Sequence, residues 1–292
     1  MHILIQSIGY GLVTASVIAI GAVGLSLQFG VTNFVNFAYG EFLTLGAYIG
    51  YFVSTQAHFN VFVGIVAAMA VTGLLAVLLD QVVFEPFIRG RPNLVVLLIV
   101  TVALSLILQN LYQIVFTTDF RRYAAPSNTQ YSVGDINFTG SQLLIIAIAI
   151  TAIGALQILL KYTKLGKAMR AMSDSADLAQ ASGINTRLVT RAVWLISGMF
   201  AGIGGVVLAI NVYNVQPTLG NSYLFLFFAA VIMGGIGKPW GALISAVVLG
   251  IVIEVSGAYI NAAYKGGLAF LILILVLLLR PRGLFSSRRR TV

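Results

Sequence analysis

Two glutamates lie in long stretches of sequence that carry no other charge. Glu41 is in "GVTNFVNFAYGEF" (residues 30–42) and Glu254 is in "GIVIEVSGAY" (250–259). A carboxylate in hydrocarbon is costly unless it is paired, protonated or hydrated, and such residues usually face a bundle interior or a solute pathway. The chemistry open to these acids is therefore proton transfer, hydrogen bonding within a broken helix, or contact with an amine.

Other side chains with reactive chemistry are scarce. The chain has no cysteine, which excludes disulfides and thiolate sites, and its only histidines are His2 and His58. The segment "GGIGKPWG" fails as a phosphate-binding loop, because Ile232 stands where the first glycine belongs and Pro239 where serine or threonine belongs. An intramembrane enzyme needs paired acids or a nucleophile with its base, and no such spacing occurs. We therefore predict no enzyme activity, no metal, no cofactor and no ATP site in this chain.

The composition is that of a membrane protein. Of 292 residues, 59% are hydrophobic and 9% are charged, whereas soluble domains contain about 25% charged residues. A membrane-spanning helix needs about 20 mainly apolar residues. The candidate segments are 6–29, 31–54, 61–84, 94–116, 141–160, 191–213, 223–237, 240–261 and 267–280.

The predicted fold is therefore an all-α polytopic membrane protein, with residues 1–292 forming one transmembrane domain of about eight to nine segments. The segments 223–237 and 267–280 are short. Short or glycine-interrupted segments are the best sequence pointer to a translocation site, so we expect discontinuous helices.

Basic residues cluster at 89–91, in and around the loop 161–190, and at 280–290. The positive-inside rule places these clusters in the cytoplasm. The N-terminus and the loop 117–140 are then outside, and the loop 161–190 and the C-terminus are cytoplasmic. The net charge of +9 reflects this topology, so we expect no nucleic-acid partner.

Glu41 has two compatible interpretations. If the segment 31–54 begins at the cytoplasmic face, Glu41 lies about 15 Å deep, near the midplane. It either lines a solute pathway or caps a broken helix near Gly40 by accepting bonds from free backbone N–H groups. Glu254 is more simply a buried, hydrogen-bonded or protonated carboxylate, with a pathway role kept open.

The cytoplasmic loop 161–190 contains a short helical pattern. A face of alanines predicts a helix over 173–182 that ends at Gly183, where glycine supplies a left-handed C-cap. Asn185 is a good N-cap for the helix that follows. Such a helix suits docking into the groove of another protein, and a solvated connector is the alternative.

Four stretches together resemble a known family. They are "NFVNFAYGEFLTLGAYIGYFV", "RAMSDSADLAQASGINTRLV", "AAVIMGGIGKPWGALISAVVLG" and "LLLRPRGLF". In this order, and over almost the whole chain, they resemble the permease subunits of branched-chain amino-acid ABC importers, which are related to urea and short-chain amide permeases. The resemblance implies a second permease subunit (usually a different chain), two cytoplasmic ATPases that bind the ATP, and an external solute-binding protein, all at a bacterial cytoplasmic (inner) membrane.

The resemblance and the patterns above also indicate site residues. The predicted substrate pathway comprises Asn33, Asn36, Tyr39, Gly40, Glu41, Gly234, Gly235, Gly237 and Glu254. The residues predicted to couple to the ATPase are Asp174, Ala179, Gly183, Ile184 and Asn185. Tyr39 departs from the histidine common at its position, so no protonation role is carried over to it.

Three other functions are compatible with parts of the sequence. A urea or amide permease would use the hydrogen-bonding groups of Asn33, Asn36 and Tyr39. A proton-coupled secondary transporter would use Glu41 and Glu254. A passive channel would pass a small neutral solute in both directions without ATP.

Overall fold

The structure, a computed structural model, describes residues 2–90, 93–123, 129–133, 136–260, 265–279 and 283–284. The helices in chain order are α1 (His2–Thr32), α2 (Tyr39–Tyr51), α3 (Val61–Leu79), α4 (Glu85–Arg89), α5 (Leu94–Phe116), α6 (Gly140–Tyr162), α7 (Lys164–Asp174), α8 (Ala176–Ala181), α9 (Thr186–Val212), α10 (Leu219–Gly234), α11 (Pro239–Tyr259) and α12 (Lys265–Leu279). Two π-helical turns, Phe52–Gln56 and Asp80–Phe84, follow α2 and α3. The strands are β1 (Arg121–Arg122), β2 (Gln130–Val133), β3 (Ile136–Thr139) and β4 (Asn214–Val215).

Six helical stretches of the described residues are long and apolar enough to cross a membrane. They are Ile3–Thr32, Val61–Ile88, Leu94–Phe116, Gly140–Tyr162, Thr186–Val212 and Pro239–Tyr259. The shorter helices α2, α10 and α12 account for the other three predicted segments. The chain is thus an all-α, multi-pass membrane protein, as predicted. The side of the membrane on which each terminus lies stays a prediction, and most of the basic C-terminal cluster (280–282 and 285–292) is outside the described residues.

The predicted segment 31–54 is wrong in its start. α1 continues to Thr32, and Asn33 then adopts a left-handed backbone conformation with φ 57°, which asparagine tolerates better than most residues. α2 begins only at Tyr39 and has 13 residues. The depth estimated for Glu41 from a helix beginning at residue 31 therefore does not apply.

α1 and α9 form the centre of the fold. In their most apolar windows 72% and 83% of residues are buried, against 28% in α5 and 22% in α6. α9 approaches its neighbours closely through small residues: a Cβ on Gly202 would lie 2.7 Å from the Ala68 oxygen of α3, and one on Gly205 would overlap the Leu43 oxygen of α2. Such close backbone approach stabilises helix pairs in lipid, where burial of apolar surface gives no driving force.

The strands lie at one end of the helices. β1 pairs antiparallel with β4, and β2 pairs with β3 as a hairpin. Together β1, β2 and β3 occupy the predicted external loop 117–140, of which residues 124–128 and 134–135 are outside the described residues. Tyr123 follows β1 and shares a 2.7 Å hydrogen bond with Ser54, and burial raises the pKa of its hydroxyl. The loop is therefore anchored to the π-helical turn that follows α2.

Candidate functional site

The segment between α1 and α2 is a polar interruption held by Asn36. Asn36 Oδ1 accepts a hydrogen bond from the Ala38 N–H at 3.0 Å, and its Nδ2 donates to Gln28 Oε1 at 3.3 Å. Asn36 is 1% exposed. Its side chain therefore satisfies the backbone at the start of α2 and joins that start to α1.

A second interruption separates α10 from α11. Gly235 and Gly237 have positive φ values of 98° and 76°, which glycine adopts without the steric cost paid by other residues. A Cβ on Gly234, the last residue of α10, would overlap the Gly241 carbonyl group of α11. The three glycines that the sequence indicated thus lie in or beside a break in the helix.

The two interruptions are joined by α10. At one end, a Cβ on Gly30 would be 3.1 Å from Gly237 Cα, and at the other end a Cβ on Gly40 would be 3.2 Å from the Gly220 carbonyl carbon. α10 has 16 residues, or about 24 Å, so the chain from Gly30 to Gly40 runs along most of its length. The first turns of α2 and α10 consequently meet inside the protein, an arrangement of discontinuous helices that transporters use for solute sites.

Glu41 lies in the first turn of α2 and faces α5. It is 0% exposed. Its Oε1 accepts a hydrogen bond from Ser105 Oγ at 3.1 Å, and its Oε2 has no partner among the described residues. The start of α2 has no capping bond to the side chain of its N-cap residue, Ala38, and the bond that stabilises this turn comes from Asn36. The carboxylate therefore bridges α2 and α5.

The other residues predicted around the first interruption have unequal settings. Tyr39 is fully buried, and its hydroxyl lies over Gly24 of α1, where a Cβ would overlap it. Gly40 contacts Gly220. Asn33 is exposed at the turn after α1. The structure thus gathers Asn36, Tyr39, Gly40 and Glu41 in the interior and leaves Asn33 at the surface.

Glu254 lies on α11, away from the Glu41 contacts. It accepts a hydrogen bond from Thr14 Oγ1 of α1 at 2.8 Å. It lines a cavity together with residues of α9, α10 and α12. Among the described residues Glu41 and Glu254 are not hydrogen-bonded to each other, and the hydrogen bonds described for them go to different helices, α5 and α1.

The loop 161–190 contains two helices where one was predicted. The helix expected over 173–182 is wrong in its start, because Ser175 separates α7 from α8 and caps α8 by accepting a bond from the Leu178 N–H at 3.4 Å. The predicted end is confirmed: Gly183 has φ 83°. Asn185 caps α9 through a 3.1 Å bond from the Leu188 N–H to its Oδ1.

The predicted coupling residues hold the six-residue helix α8 in place. Ala179 is 3% exposed and faces the protein, whereas the neighbouring Leu178 is 70% exposed. The Ile184 N–H donates to the Ala179 carbonyl at 3.1 Å, which closes the turn after the helix. Asp174 ends α7, one residue before the Ser175 cap. α8 thus presents an apolar side chain outward from a firmly packed base.

The helices of the loop 161–190 contact the membrane-spanning part at two points. Ser173 Oγ of α7 would be 3.4 Å from a Cβ on Gly30 and 3.8 Å from one on Gly237. Glu85 of α4 accepts from Arg187 Nε at 2.9 Å and from Arg191 Nη2 at 3.1 Å, both at the start of α9. The loop therefore touches the second interruption directly and is tied to α4 by charge.

Sequence reasoning missed several polar residues of the interior. The buried face of α5 includes Thr101, Ser105 and Tyr112, and their helical spacing of four and seven residues was the available signal. Thr44 was missed as well: its Oγ1 accepts from the Gly220 N–H at 3.0 Å and donates to the Gly40 carbonyl at 3.2 Å. In the described part of the chain no group of three or more His, Cys, Asp or Glu could hold a metal ion.

Comparison with known proteins gives relatives described as branched-chain amino acid permeases, and the ribose import permease protein RbsC of Escherichia coli K12 is also 27% identical, covering 80% of this chain and 73% of that protein. Residues 7–277 match the family described as "Branched-chain amino acid transport system / permease component". The chain is 30% identical over 297 residues to the high-affinity branched-chain amino acid transport system permease protein LivH of Escherichia coli K12, covering 97% of this chain and 95% of that protein. It is 26% identical to BraD of Pseudomonas aeruginosa, with the same coverage, and 27% identical to a probable LivH of Methanocaldococcus jannaschii, covering 94% and 90%.

Proposed function

Because the chain belongs to the family of branched-chain amino acid transport system permease components, we propose that it forms the translocation pathway of a binding-protein-dependent ABC importer for branched-chain or related small amino acids. The proposed assembly contains this chain, a second permease subunit, two cytoplasmic ATPases and an external solute-binding protein. It works in the bacterial cytoplasmic membrane. The names of the relatives support the solute class.

The contact between α7 and the second interruption carries the mechanistic part of the proposal. Ser173 lies beside Gly30 and Gly237, so a displacement of α7 and α8 moves the junction where α1 ends and α10 gives way to α11. Positive φ values at Gly235 and Gly237 make this junction a place where backbone rotation has little steric cost. A partner that pushes or pulls α8 would therefore change the position of α10.

The outer face of α8 is the proposed contact for the ATPase. Leu178 is 70% exposed on a helix of six residues, and Leu188 nearby is 60% exposed. Burial of exposed apolar side chains outside the lipid is the main favourable contribution to association between proteins. The ion pairs of Glu85 with Arg187 and Arg191 hold the start of α9 against α4, so force applied at α8 reaches more than one membrane helix.

The proposed cycle needs no chemistry in this chain. ATP binding and hydrolysis in the partners move α8, and the permease pair alternates between access from outside and access from the cytoplasm. The separation of the Glu41 contacts from those of Glu254 (Ser105 on α5 against Thr14 on α1) favours this cycle over a proton relay through the two acids.

Purification of the tagged chain from its native membrane in a gentle detergent tests the assembly. We expect ATP-binding subunits to be recovered with the wild-type chain and to be lost from the variant Leu178→Asp. Phe120→Asp is the matched control, because Phe120 is 73% exposed but lies beside β1 on the predicted external side. A chain recovered without any ATPase, even after mild crosslinking, would contradict the proposal.

A further inference from the structure

A groove of about 450 Å³ lies between α1, α6 and α11, near the middle of α1 and α6. Apart from Ser16, the residues that line it are alanine, leucine, isoleucine and valine. The Ser16 hydroxyl donates to the Leu12 carbonyl at 2.8 Å, so its proton already has an acceptor. Leu12 and Ile150, which belong to the lining, are exposed. The groove is therefore open to the hydrocarbon of the membrane and suits an apolar group.

One side of α6 connects this groove to the end of the helix. Ile153, Gln157 and Lys161 are spaced four residues apart, which places them along one side of the helix. Ile153 lines the groove, and Lys161 is about 12 Å further along at 1.5 Å per residue. Half of the hydrocarbon core of a membrane is about 15 Å thick. A lipid with its headgroup at Lys161 can therefore reach the groove with an acyl chain.

The end of α6 has the side chains of a membrane–water boundary. Tyr162 is exposed, and Lys161 Nζ lies 5.3 Å from the centroid of its ring. Tyrosine and lysine at the end of a membrane helix indicate the level of the lipid headgroups. The backbone is extended at Thr163, where α7 begins, and a Cβ on Gly166 would overlap the Leu160 carbonyl oxygen. The first turn of α7 thus lies against the last turn of α6, at headgroup level.

α7 exposes a basic face at this level. Its buried side consists of Gly166, Met169 and Met172. The exposed basic residues have the same spacing of three on the other side of the helix, and they are Lys164, Lys167 and Arg170. In the described part of the chain neither lysine of α7 forms an ion pair, and Asp174, the one acid of α7, is at its far end. With Lys161 these side chains form a positive patch that favours anionic headgroups.

We infer that an anionic phospholipid of the predicted cytoplasmic leaflet binds at this corner. Its phosphate contacts Lys161, Lys164 and Lys167, and one acyl chain follows α6 into the groove between α1, α6 and α11. The lipid then contacts α1, α7 and α11 together. These three helices adjoin the second interruption, where Ser173 of α7 lies beside Gly30 and Gly237. The ligand is a component of the membrane, distinct from the solute and from the proposed subunits.

Other occupants match only one part of the corner. An α-helix is 10–12 Å across, so about one turn of it would fill the groove, and the rest of such a helix would have no room there. An acidic protein surface would match the basic face of α7 but would not reach the groove, which begins about 12 Å deeper along α6. A phospholipid matches both the charge of the patch and the apolar lining.

Photolabelling of the full chain in vesicles tests the site. The chain and its co-purified partners are reconstituted in dioleoylphosphatidylcholine with a trace of one of two probes. The probes carry the same diazirine-bearing acyl chain, and one is a phosphatidylglycerol while the other is a phosphatidylcholine. We expect the phosphatidylglycerol probe to label segments 12–19 and 146–153 more strongly. Both probes should label the exposed face of α5 around Ile107 equally. No preference for phosphatidylglycerol at the groove would overturn the inference.

The double variant Lys164→Gln/Lys167→Gln tests the headgroup contact. A lysine near an anionic headgroup contributes a factor of about five in affinity, so phosphatidylglycerol label in the groove should fall by up to about thirtyfold. Arg122→Gln is the matched control, because Arg122 is an exposed basic residue of β1, at the other end of the helices. Unchanged labelling of the groove in the double variant would refute the contact.

The variant Ile150→Trp tests the acyl-chain contact. It adds bulk to an exposed side chain that lines the groove, whereas Ile158→Trp adds the same bulk at an exposed position of α6 outside the lining. We expect weaker labelling of segment 12–19 in Ile150→Trp alone. Equal labelling in the two variants would refute the placement of the chain.

Two further measurements separate the lipid from other ligands of the basic face. Inorganic phosphate in excess should leave the phosphatidylglycerol label in place, and loss of the label would indicate a site for a free anion. Recovery of the ATPases with Lys164→Gln/Lys167→Gln should match that with the wild-type chain. Lost ATPases with unchanged groove labelling would show that α7 contacts the partner, and either result would overturn the lipid assignment.

Discussion

Gly220→Ala probes the point where the first turns of α2 and α10 meet. The added methyl group would overlap the Gly40 carbonyl oxygen and would lie 2.9 Å from Thr44 Oγ1. The overlapped atom is backbone, so the two helices must separate. Separation also weakens the 3.0 Å hydrogen bond from the Gly220 N–H to Thr44.

The expected loss of stability follows from three contributions. Overpacking of a close contact costs about 1–3 kcal/mol, and a lost hydrogen bond costs about 1 kcal/mol. The better helix propensity of alanine returns about 1 kcal/mol. The net destabilisation is about 2 kcal/mol. For 292 residues this corresponds to a fall in Tm of about 3 °C, because the entropy of unfolding is about 2.1 cal/mol/K per residue.

Thermal unfolding of the purified chain in one detergent measures this effect. Gly154→Ala is the matched control, because Gly154 lies within α6 and a Cβ there would meet nothing within 4 Å. We expect its Tm to be unchanged or slightly raised. A Gly220→Ala protein as stable as Gly154→Ala would refute the described contact between α2 and α10.

Three further predictions concern coupling and the pathway. Glu41→Gln keeps an oxygen that accepts from Ser105, so we expect normal abundance in the membrane with uptake reduced about tenfold; low abundance with normal uptake per molecule would instead indicate a structural role. Gly183→Pro imposes a negative φ where the chain has φ 83°, so it disturbs the turn that ends α8. We expect the partner ATPases to continue hydrolysing ATP while uptake falls. Uptake that stays coupled to hydrolysis in this variant would count against the docking role of α8. Glu85→Gln removes the ion pairs with Arg187 and Arg191 at the start of α9, at a stability cost of about 1 kcal/mol. We expect the amount of solute taken up per ATP hydrolysed to be lower than in the control variant Asp119→Asn. The same uptake per ATP in both variants would exclude force transfer through α4.

The class of the fold was predictable because lipid imposes a simple rule. Segments of apolar residues long enough to cross a membrane must be helical, since backbone groups have no other partners there. The short apolar segment 223–237 and its glycines at 234–237 predicted a break in a membrane helix. The structure has this break between α10 and α11. The C-cap at Gly183 was predictable from local chemistry alone.

The start of α2 was not predictable from hydropathy. Residues 33–38 contain no charge, glycine or proline that would mark a break. The break depends on the left-handed conformation of Asn33 and on the bond that Asn36 accepts from the Ala38 N–H. Likewise, sequence placed Glu41 and Glu254 in one pathway because both are acids in apolar runs. Their actual neighbours, Ser105 and Thr14, depend on tertiary packing, which no local pattern encodes.

Uptake of radiolabelled leucine by proteoliposomes tests the central claim most directly. The vesicles would contain the chain with its co-purified partners, and the solute-binding protein would be supplied on the outside. The account predicts accumulation that requires ATP on the cytoplasmic side and persists when a proton ionophore is present. Accumulation by the chain alone under an imposed proton gradient, without nucleotide, would contradict it.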